Sequence, residues 1–445
     1  MTVKVRFAPS PTGLLHVGNI RAALVNWLFA KQQGGEFILR VDDTDTVRST
    51  KEYENQAKDD LKWLGLNFDN TFNQSDRFER YDSVVSDLKA AGRLYACYET
   101  PEELDMKRKI QMNRGLPPVY DRAGLTLTDA EKAAFEAEGR SAHWRFKLNT
   151  PARVVWTDLI RGEVSIDMES LSDPILVRGD GSYLYTLPSV VDDVDYGITH
   201  IVRGEDHVTN SAVQTQIFEM LGGITPEMAH FALLTGKSGE GLSKRLGTMS
   251  IKEQREEMGI EPMSIVSLLA RLGTSEPIEP FVKVDALVEG FAFSKFGRAV
   301  AKLDPAELEL LNAKILHETP YDMVSDRITL DGVDEVFWNA VRPNLKKFSD
   351  LNDWYAIVNG PVTPVIGNAD FIAKAKDLLP EGTLDGTSWK AWTAAVKEGT
   401  GAKGRELFMP LRQALTGQDH GPDMGTLLPL IGRDRVIARL EGSAS

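Results

Sequence analysis

The sequence has a single cysteine, Cys97, among its 445 residues. One thiol cannot close an intramolecular disulfide, and such a composition is typical of a protein from the reducing cytoplasm. The N-terminal stretch MTVKVRFAPS lacks the apolar core of a signal peptide. Apolar runs such as residues 427–431 fall far short of the roughly 20 residues that a membrane span needs. We therefore predict a cytoplasmic location and no membrane partner.

The charge balance is acidic, with 51 Lys and Arg against 65 Asp and Glu and a net charge of −14. This balance argues against non-specific nucleic-acid binding, which requires a basic surface that displaces counterions from phosphates. Residues 371–445 differ, because 10 Lys and Arg face 9 Asp and Glu there, a net charge of +1. A polyanion is least repelled by this C-terminal segment.

The first 45 residues follow the pattern of a βαβ unit. Apolar and charged residues alternate from Val3 to Phe7, and a nearly continuous apolar run covers residues 37–41. Between them, apolar residues recur at helical spacing over 20–28, and Gly34 and Gly35 end the pattern. The order strand, helix, strand favours a parallel sheet with a right-handed crossover.

The later segments show a mixed pattern, then a helical one. Ser49 and Glu52 predict a capping box for a helix that ends near Leu64, and residues 81–91 predict another helix. Residues 97–188 combine a polar helix with short strands. We predict that they form an insertion, because sheet-like sequence resumes over 197–202 and 229–234. Beyond about residue 250 the pattern is mainly helical.

The segment 9–19, PSPTGLLHVGN, lies between the first strand and the first helix. A helix N-terminus offers free backbone N–H groups and a positive dipole end, which suit a phosphate. His16 adds a side-chain donor, Gly18 allows a nucleotide to approach the backbone, and Asn19 is the expected helix cap. For His16 taken alone, an ordinary histidine in a capped turn is the alternative interpretation.

This segment resembles the HIGH signature of class I aminoacyl-tRNA synthetases, and residues 6–13 look like those of the glutamyl-tRNA synthetases. Residues 241–245, GLSKR, are similar to the KMSKS motif of that class, although only Ser243 and Lys244 keep its core. The resemblance runs to about Leu440, which is essentially the whole chain. It implies that His16 and Lys244 are catalytic. The implied ATP-binding residues are Pro9, Thr12, Gly13, His16, Gly18, Asn19, Ser243, Lys244 and Arg245.

The reaction implied by the resemblance explains why two such motifs occur together. A carboxylate that attacks the α-phosphate of Mg·ATP develops charge on phosphorus and on the leaving pyrophosphate, and fixed cations and N–H dipoles stabilise that charge. Lys244, on a glycine-flanked loop, is the predicted mobile cation. P-loop and dinucleotide-binding fingerprints are absent from the sequence, which fits a class I site better than a kinase or dehydrogenase.

The resemblance also implies a glutamate site. Two arginines suit an acidic side chain, since each can bind a carboxylate bidentately. The implied residues are Arg6, Ala8, Ser10, Asp42, Tyr185, Ser189, Arg203 and Asp206, with the arginines on substrate carboxylates and Asp42 near the α-amino group. The sequence departs from the family pattern at Asp42 (more usually Glu), Ser189 (often Asn), His207 (in some Trp), Asn19 (His) and Gly241 (Lys).

Two further expectations concern metal and RNA. Many bacterial relatives carry a zinc knuckle in the insertion, but here Cys97 is the only thiol, so we predict no zinc and an inert, partly buried cysteine. The C-terminal stretch 399–412 is similar to the anticodon-binding region of the family. It makes Lys403, Arg405 and Arg412 the predicted tRNA-binding residues, although basic residues on a helix more often form a solvated face.

We predict a multidomain α/β plus all-α protein. Its Rossmann-type parallel-sheet catalytic domain (1–96 and 189–235) is split by an acceptor-stem-binding insertion (97–188) and followed by a stem-contact region (236–319) and a helical anticodon-binding region (320–445). The expected function is ATP-dependent attachment of glutamate to tRNA-Glu by a monomer. The alternatives are a non-discriminating form that also charges tRNA-Gln, a small nucleotidyltransferase, which the chain length disfavours, and a tRNA-binding protein without catalysis.

Overall fold

The computed structural model describes residues 2–236 and 250–444 of the chain. Two compact units divide the chain: the first comprises Met1–Glu253, Val266–Ile278 and Val284–Asp304, and the second comprises Gln254–Ile265, Glu279–Lys283 and Pro305–Ser445. None of the helices among the described residues is long and apolar enough to cross a membrane.

The strands formed by the described residues all lie in the first unit. They are β1 (Lys4–Phe7), β2 (Glu36–Val41), β3 (Asn70–Asn73), β4 (Leu94–Cys97), β5 (His143–Phe146), β6 (Arg153–Asp158), β7 (Gly162–Asp167), β8 (Ile175–Val177), β9 (His200–Gly204), β10 (Glu227–Phe231), β11 (Leu234–Gly236) and β12 (Ala301–Leu303).

The helices occur in both units. They are α1 (Val17–Gln32), α2 (Lys51–Trp63), α3 (Phe78–Ala90), α4 (Pro101–Asn113), α5 (Asp129–Ala137), α6 (Thr186–Asp195), α7 (Val208–Met220), α8 (Ile251–Glu256), α9 (Pro262–Arg271), α10 (Asp285–Glu289), α11 (Pro305–Glu318), α12 (Glu335–Val341), α13 (Asp350–Asn359), α14 (Ala369–Asp377), α15 (Ser388–Thr400), α16 (Arg405–Thr416), α17 (Met424–Ile431) and α18 (Arg433–Leu440).

The predicted βαβ unit is confirmed. Strands β1 and β2 pair in parallel, with Lys4 opposite Glu36 and Phe7 opposite Leu39, and β3 pairs in parallel with β2. Helix α1 connects the first two strands. The helix is more buried than its amphipathic pattern predicts, because Val25, Phe29 and other residues outside the predicted apolar face are also buried.

A second parallel pair, β9 and β10, continues from β1. Backbone hydrogen bonding from Thr199 N to Lys4 O (3.0 Å) joins the start of β9 to β1. The strands therefore lie in the order β3, β2, β1, β9, β10. The strands that follow β1 in sequence are added on one side of it and the later strands on the other, and open α/β sheets bind their ligands at such a point. The predicted strand over 229–234 is in fact two strands, since β10 ends at Phe231 and β11 begins at Leu234 and pairs with β12.

Strands β5 and β8 of the insertion form a small antiparallel sheet with β4, which precedes the insertion and ends at Cys97, and β6 and β7 form a hairpin. Phe146, Met168 and Leu176 from this segment share one buried cluster with Tyr81 of α3 and Val190 of α6, which lie outside it. The insertion thus shares a hydrophobic core with the catalytic part of the unit. Along most of the β6–β7 hairpin, by contrast, exposed and half-buried residues alternate.

The predicted helices of the first unit are confirmed, but the predicted cap of α2 is wrong. Thr50, not Ser49, caps α2, since its hydroxyl accepts from Tyr53 N (3.2 Å). Ser49 and Glu52 have the spacing of a capping box, but the helix begins one residue later than that motif requires.

The second unit contains helices α11 to α18, as the sequence predicted for the C-terminal part of the chain, together with residues 254–265 and 279–283. Its core includes the fully buried Trp338 and Trp392, whose indole N–H groups donate to Thr319 O (2.9 Å) and Ala375 O (2.7 Å). Leu316 of α11 belongs to the same core. The compact unit therefore includes α11, whereas the predicted boundary at 319/320 would separate it; the five-segment division of the chain stays a prediction.

Candidate active site

A cavity of about 650 Å³ opens at the carboxyl ends of β1 and β9. It lies at the reversal of strand order, where the loops that follow β1 and β9 diverge. Eleven of the predicted site residues line it: Arg6, Ala8, Pro9, Ser10, Thr12, His16, Gly18, Asn19, Tyr185, Arg203 and Asp206. Residues from the predicted ATP and glutamate sets thus share one space.

Arg6 enters the cavity wall from β1 and is bound to a carboxylate. Its Nε lies 3.0 Å from Asp193 Oδ1, and its terminal nitrogen NH2 lies 3.3 Å from Asp193 Oδ2. Asp193 Oδ1 also accepts from Arg40 (2.9 Å). A buried carboxylate thus fixes two buried guanidinium groups, and the arrangement leaves Arg6 oriented but largely neutralised.

Arg203, from β9, is held differently. Each hydrogen-bond acceptor that the described residues give its guanidinium is neutral: Tyr185 Oη (3.1 Å), Ser211 Oγ (2.7 Å) and Gln214 Oε1 (2.6 Å). Its side chain is 6% exposed, and burial lowers its pKa. A buried cation with neutral partners at a cavity wall has the charge and the position to bind an anionic ligand group.

Asp42 and Ser189 do not line the cavity. Asp42 Oδ1 accepts from Arg40 Nε (2.6 Å), and Ser189 Oγ accepts from Arg40 NH2 (3.0 Å). Both predicted residues therefore lie behind the site as partners of Arg40. The assignment of Asp42 to the substrate's α-amino group stays a prediction, but in this structure its carboxylate is bound to an arginine.

Arg40 and Asp193 are the site-forming residues that the sequence analysis missed. The signal was present, because Arg40 interrupts the buried run Phe37–Val41, and a charge inside a covered strand requires a charged partner. Asp193 follows Asp192 in α6, where Asp192 accepts from Gln74 Nε2 (2.8 Å) and Tyr81 Oη (3.0 Å). These contacts join strands and helix into one buried polar network.

His16 is the N-cap of α1, and Asn19 is not. The Nδ1 atom of His16 accepts from Gly18 N (3.1 Å), while Asn19 Oδ1 accepts from His16 N (3.1 Å). Since Nδ1 accepts, the ring proton of the neutral imidazole is on Nε2. Burial lowers the pKa of His16, which favours this neutral form. The ring therefore offers an N–H donor at a helix N-terminus on the cavity wall.

The remaining predicted ATP residues fall into three groups. Thr12 lines the cavity, whereas Gly13 borders a separate, much smaller space beside Pro11 and Leu15. Ser243, Lys244 and Arg245 lie outside the described residues, as does the Gly241 departure.

The described flanks of the segment 237–249 lie beside the cavity. On one side, Leu234 of β11 lines it. On the other, Ser250 forms an antiparallel bridge with His16, and Ile251 N donates to Leu15 O (2.9 Å). The described residues before this segment thus border the cavity, and those after it lie beside His16.

The loop after β9 adds aromatic and acidic groups to the wall. The rings of Tyr185 and His207 lie 5.8 Å apart, and Asp206 is exposed beside them. Burial lowers the pKa of His207, so its ring is neutral at neutral pH. The His207 departure therefore keeps a flat ring at this wall without adding a cation.

Two other potential metal ligands, Glu99 and His143, lie close to Cys97, and the sequence analysis did not consider them. Ligand atoms of Cys97, Glu99 and His143 lie within 4.8 Å of one another, and neither Glu99 Oε2 nor His143 Nε2 has a hydrogen-bond partner among the described residues. Tyr120 Oη lies 3.4 Å from Cys97 Sγ and donates to Glu99 Oε1 (2.8 Å), while burial raises the pKa of the thiol to about 11. Three mixed donors fall short of the four that a structural zinc site uses. The absence of zinc stays a prediction, and the expected partial burial of Cys97 is wrong, because the residue is fully buried.

The predicted tRNA-binding residues lie in the second unit. Lys403 and Arg405 are exposed at the start of α16, next to the exposed ring of Phe408. Arg412 is half-buried and donates to Pro422 O (2.8 Å). Two of the three residues are therefore accessible, and the third fixes a loop of its own unit.

Known proteins resemble the chain over its whole length. Residues 2–309 match the family described as tRNA synthetases class I (E and Q), catalytic domain, and residues 339–444 match the family described as anticodon binding domain. Glutamate–tRNA ligase 1 of Maricaulis maris is 57% identical over 444 residues, which cover 99% of this chain and 100% of that protein. Glutamate–tRNA ligase of Azospirillum brasilense is 54% identical over 449 residues, which cover all of both chains.

A solved structure agrees with these sequence matches. The crystal structure of a glutamate tRNA ligase from Elizabethkingia meningosepticum in complex with its amino acid has a TM-score of 0.82 at 25% identity, and the match covers 99% of both chains. With its parallel-sheet catalytic part and helical C-terminal part, the chain belongs to the glutamate–tRNA ligase family of the class I aminoacyl-tRNA synthetases.

Proposed function

We propose that this chain activates glutamate with ATP and transfers it to tRNA-Glu, using the cavity between β1 and β9 for the chemistry. The observation that carries the proposal is the buried guanidinium of Arg203, which has neutral partners on a wall shared with the phosphate-suited N-terminus of α1. A receptor for a carboxylate and a receptor for phosphates therefore border one cavity.

In the first step, a carboxylate oxygen of glutamate attacks the α-phosphorus of ATP. The new P–O bond forms as the bond to pyrophosphate breaks, and the products are glutamyl adenylate and pyrophosphate. The N–H of His16 Nε2 and the free backbone N–H groups of α1 are placed to stabilise charge on the phosphates. We expect Mg²⁺ to enter with ATP and to neutralise phosphate charge.

The two arginines have separate tasks. Arg203 binds the substrate carboxylate that stays unreacted, since its charge is not already matched by a protein carboxylate. Arg6, fixed by Asp193, orients and weakly attracts the second carboxylate. Lys244 adds a cation as pyrophosphate leaves, a role supported by the positions of Leu234 and Ser250 beside the cavity.

In the second step, the terminal ribose 2′-hydroxyl of tRNA attacks the activated carbonyl carbon. An ester bond forms, and AMP leaves with the electron pair of the broken C–O bond. The helical unit supports tRNA selection through the exposed Lys403, Arg405 and Phe408, since single-stranded bases are read by stacking and by contacts to their edges. The monomeric state and the cytoplasmic location stay predictions.

The proposal is tested by pyrophosphate exchange with glutamate, glutamine or aspartate, each with and without tRNA. We expect exchange with glutamate alone among the three amino acids, and a requirement for tRNA, which the family resemblance implies. Exchange with glutamine at a comparable rate would contradict the carboxylate receptor. Charging of tRNA-Glu and tRNA-Gln, measured in parallel at one salt concentration, separates the discriminating from the non-discriminating form.

The role of the helical unit is tested by Lys403→Glu combined with Arg405→Glu. Both side chains are exposed, so the fold should persist while KM for tRNA rises. Lys397→Glu combined with Lys390→Glu is the matched control, because it makes the same charge change on α15. An equal rise in KM for tRNA in both variants would indicate general charge repulsion rather than a binding surface.

A further inference from the structure

A buried chain of hydrogen bonds runs from the cavity wall into the sheet. Arg203 NH2 donates to Ser211 Oγ (2.7 Å), Ser211 Oγ lies 2.8 Å from His230 Nε2, and His230 Nδ1 lies 2.5 Å from Asp158 Oδ2. All four side chains are more than nine-tenths buried. Arg203 and His230 are directly opposite each other on the parallel strands β9 and β10, so the sheet register brings these two side chains together. We call the chain Arg203–Ser211–His230–Asp158 the relay.

One arrangement of the protons satisfies all three contacts of this chain. Ser211 Oγ also lies 3.2 Å from the carbonyl oxygen of His207, a longer contact than the 2.8 Å to His230 Nε2. Burial disfavours the carboxylate of Asp158, but hydrogen bonds from His230 and from the backbone of Ile160 and Arg161 lower its pKa to about 2. Burial lowers the pKa of His230, which keeps the imidazole neutral. The ring then donates from Nδ1 to the carboxylate and accepts the Ser211 hydroxyl proton at Nε2. The Ser211 oxygen is left to accept from Arg203.

The order serine, histidine, aspartate is that of a hydrolase triad, yet this arrangement is unsuited to nucleophilic attack. Ser211 is fully buried, and its oxygen accepts from a guanidinium. An attacking serine needs an exposed oxygen beside a substrate carbonyl. The relay instead presents a fixed acceptor to Arg203.

The aspartate comes from the insertion. Asp158 is the last residue of β6, in the hairpin Arg153–Asp167. Its Oδ1 also accepts from His230 N (3.1 Å), and the neighbouring Leu159 N donates to Met228 O (2.9 Å). Arg161 NH1 lies 2.5 Å from Glu205 Oε2, two residues after Arg203. The hairpin turn is thus attached to β10 and to the loop that follows β9.

We propose that Asp158 and His230 are positioning residues for Arg203, acting through Ser211, and that the β6–β7 hairpin thereby sets the orientation of the glutamate-binding guanidinium. The inference rests on the proposed function, because it takes Arg203 as the receptor of the substrate carboxylate. It gives the insertion a role in amino-acid binding, in addition to the role in acceptor-stem binding that the sequence predicts.

The test is Asp158→Asn, with Asp173→Asn as the matched control. The amide of an asparagine turned toward His230 would shift the ring proton to Nε2, which then competes with Arg203 for the Ser211 oxygen. Asp173 is also a buried carboxylate of the insertion, since it is 1% exposed and accepts from Tyr95 Oη (2.7 Å), Arg122 (2.8 Å) and Leu148 N (2.9 Å). Its hydrogen bonds do not lead to Arg203.

In the aminoacylation assay, Asp158→Asn should raise KM for glutamate by about tenfold, the loss expected when a hydrogen bond to a charged group is weakened. KM for ATP and kcat should stay within about twofold, because the relay fixes a binding group and not the reacting phosphate. Asp173→Asn should lower thermal stability to a similar extent and leave KM for glutamate unchanged.

Ser211→Ala provides a second route, because it removes only a hydroxyl group. If the aspartate acts through the serine, the double variant should have the same KM for glutamate as the worse single variant, since coupled residues are not additive. A downfield imidazole Nδ1–H proton resonance, present in the wild type and lost in Asp158→Asn, would report the relay directly.

Three results would overturn the inference: an unchanged KM for glutamate in folded Asp158→Asn, an equal rise in Asp173→Asn, or independent multiplication of the two effects in the double variant. Arg203→Ala, measured beside these variants, separates the hypotheses. If Arg203→Ala raises KM for glutamate and Asp158→Asn does not, the relay is wrong and the proposed function stands. If Arg203→Ala has no effect, the glutamate assignment itself is wrong.

Discussion

The two compact units bury different chemistry. The first unit encloses charged side chains in connected networks at its cavity wall and behind it, among them Arg6, Arg40, Asp192 and Asp193. The core of the second unit is formed by aromatic, aliphatic and methionine side chains, such as Trp338, Leu411 and Met424. Arg439 is a buried charged residue there, and it donates to backbone carbonyls such as Leu415 O (2.8 Å).

This difference indicates that the buried charged residues of the first unit serve the chemistry of the site, and that the buried apolar residues of the second unit serve its stability. Burying an ion pair contributes little net stability, because desolvation opposes the Coulombic gain, whereas buried aromatic rings stabilise a fold directly. Networks such as Arg6–Asp193–Arg40 are thus explained by the orientation of groups at the cavity. We expect substitutions in the second core to affect unfolding, and substitutions around the cavity to affect kinetics.

The largest expected effect on free energy is at Trp392. The side chain is fully buried between helices of the second unit, so Trp392→Ala should lower the free energy of unfolding by about 3–5 kcal/mol. Chemical denaturation monitored by circular dichroism measures this change. Trp389→Ala is the control at a partly buried position and should have a smaller effect. Equal losses would show that the second core is not as localised as the packing indicates.

The next effect is kinetic and concerns Arg203. Arg203→Ala should raise KM for glutamate at least about tenfold and leave KM for ATP nearly unchanged, since a charge-assisted hydrogen bond contributes about 1.5–3 kcal/mol. Arg439→Ala removes a buried arginine from the other unit and should lower stability without a change in KM for glutamate. Similar values of KM for glutamate in the two variants would contradict the distinction between the units.

The comparison also shows what the sequence could predict. Period and breaker residues predicted β1, α1 and β2, and the phosphate-suited segment around His16 lies where expected. Arg40 was missed because its role depends on Asp193, which lies 153 residues away in sequence. Local patterns cannot show which distant charge meets a buried one, because that depends on the strand order.

The errors at helix ends have a similar origin. Both Asn19 and His16 have side-chain acceptors, and the choice between them depends on where the preceding loop lets the helix begin. At Cys97 the sequence argument counted thiols alone, whereas the β4–β5 register brings His143 directly opposite. At Cys97 the non-local pairing of strands decided the outcome, and at the start of α1 the course of the loop decided it.

The third prediction concerns Lys244, whose position lies outside the described residues. Lys244→Ala should lower the rate of glutamate activation by more than about tenfold with a smaller change in substrate affinity, as expected when an interaction strengthens in the transition state. Single-turnover measurements of adenylate formation separate rate from affinity. Weaker ATP binding at an unchanged rate would make the residue a ground-state binding group, and the cavity would then lack its predicted mobile cation.

The last and smallest expected effect is the reactivity of the Cys97 thiol. Cys97 is a buried group of the first unit, and we assign it to packing rather than to chemistry. Burial raises the pKa of its thiol to about 11, so the thiolate that reacts with disulfide reagents is scarce at pH 8. Ellman's reagent should therefore modify the native protein slowly and release one equivalent only after denaturation. Metal analysis should find zinc far below one ion per chain. Stoichiometric zinc that is lost in His143→Ala would show instead that Cys97, Glu99 and His143 form a metal site, and that the first unit uses buried polar groups for chemistry beyond its cavity.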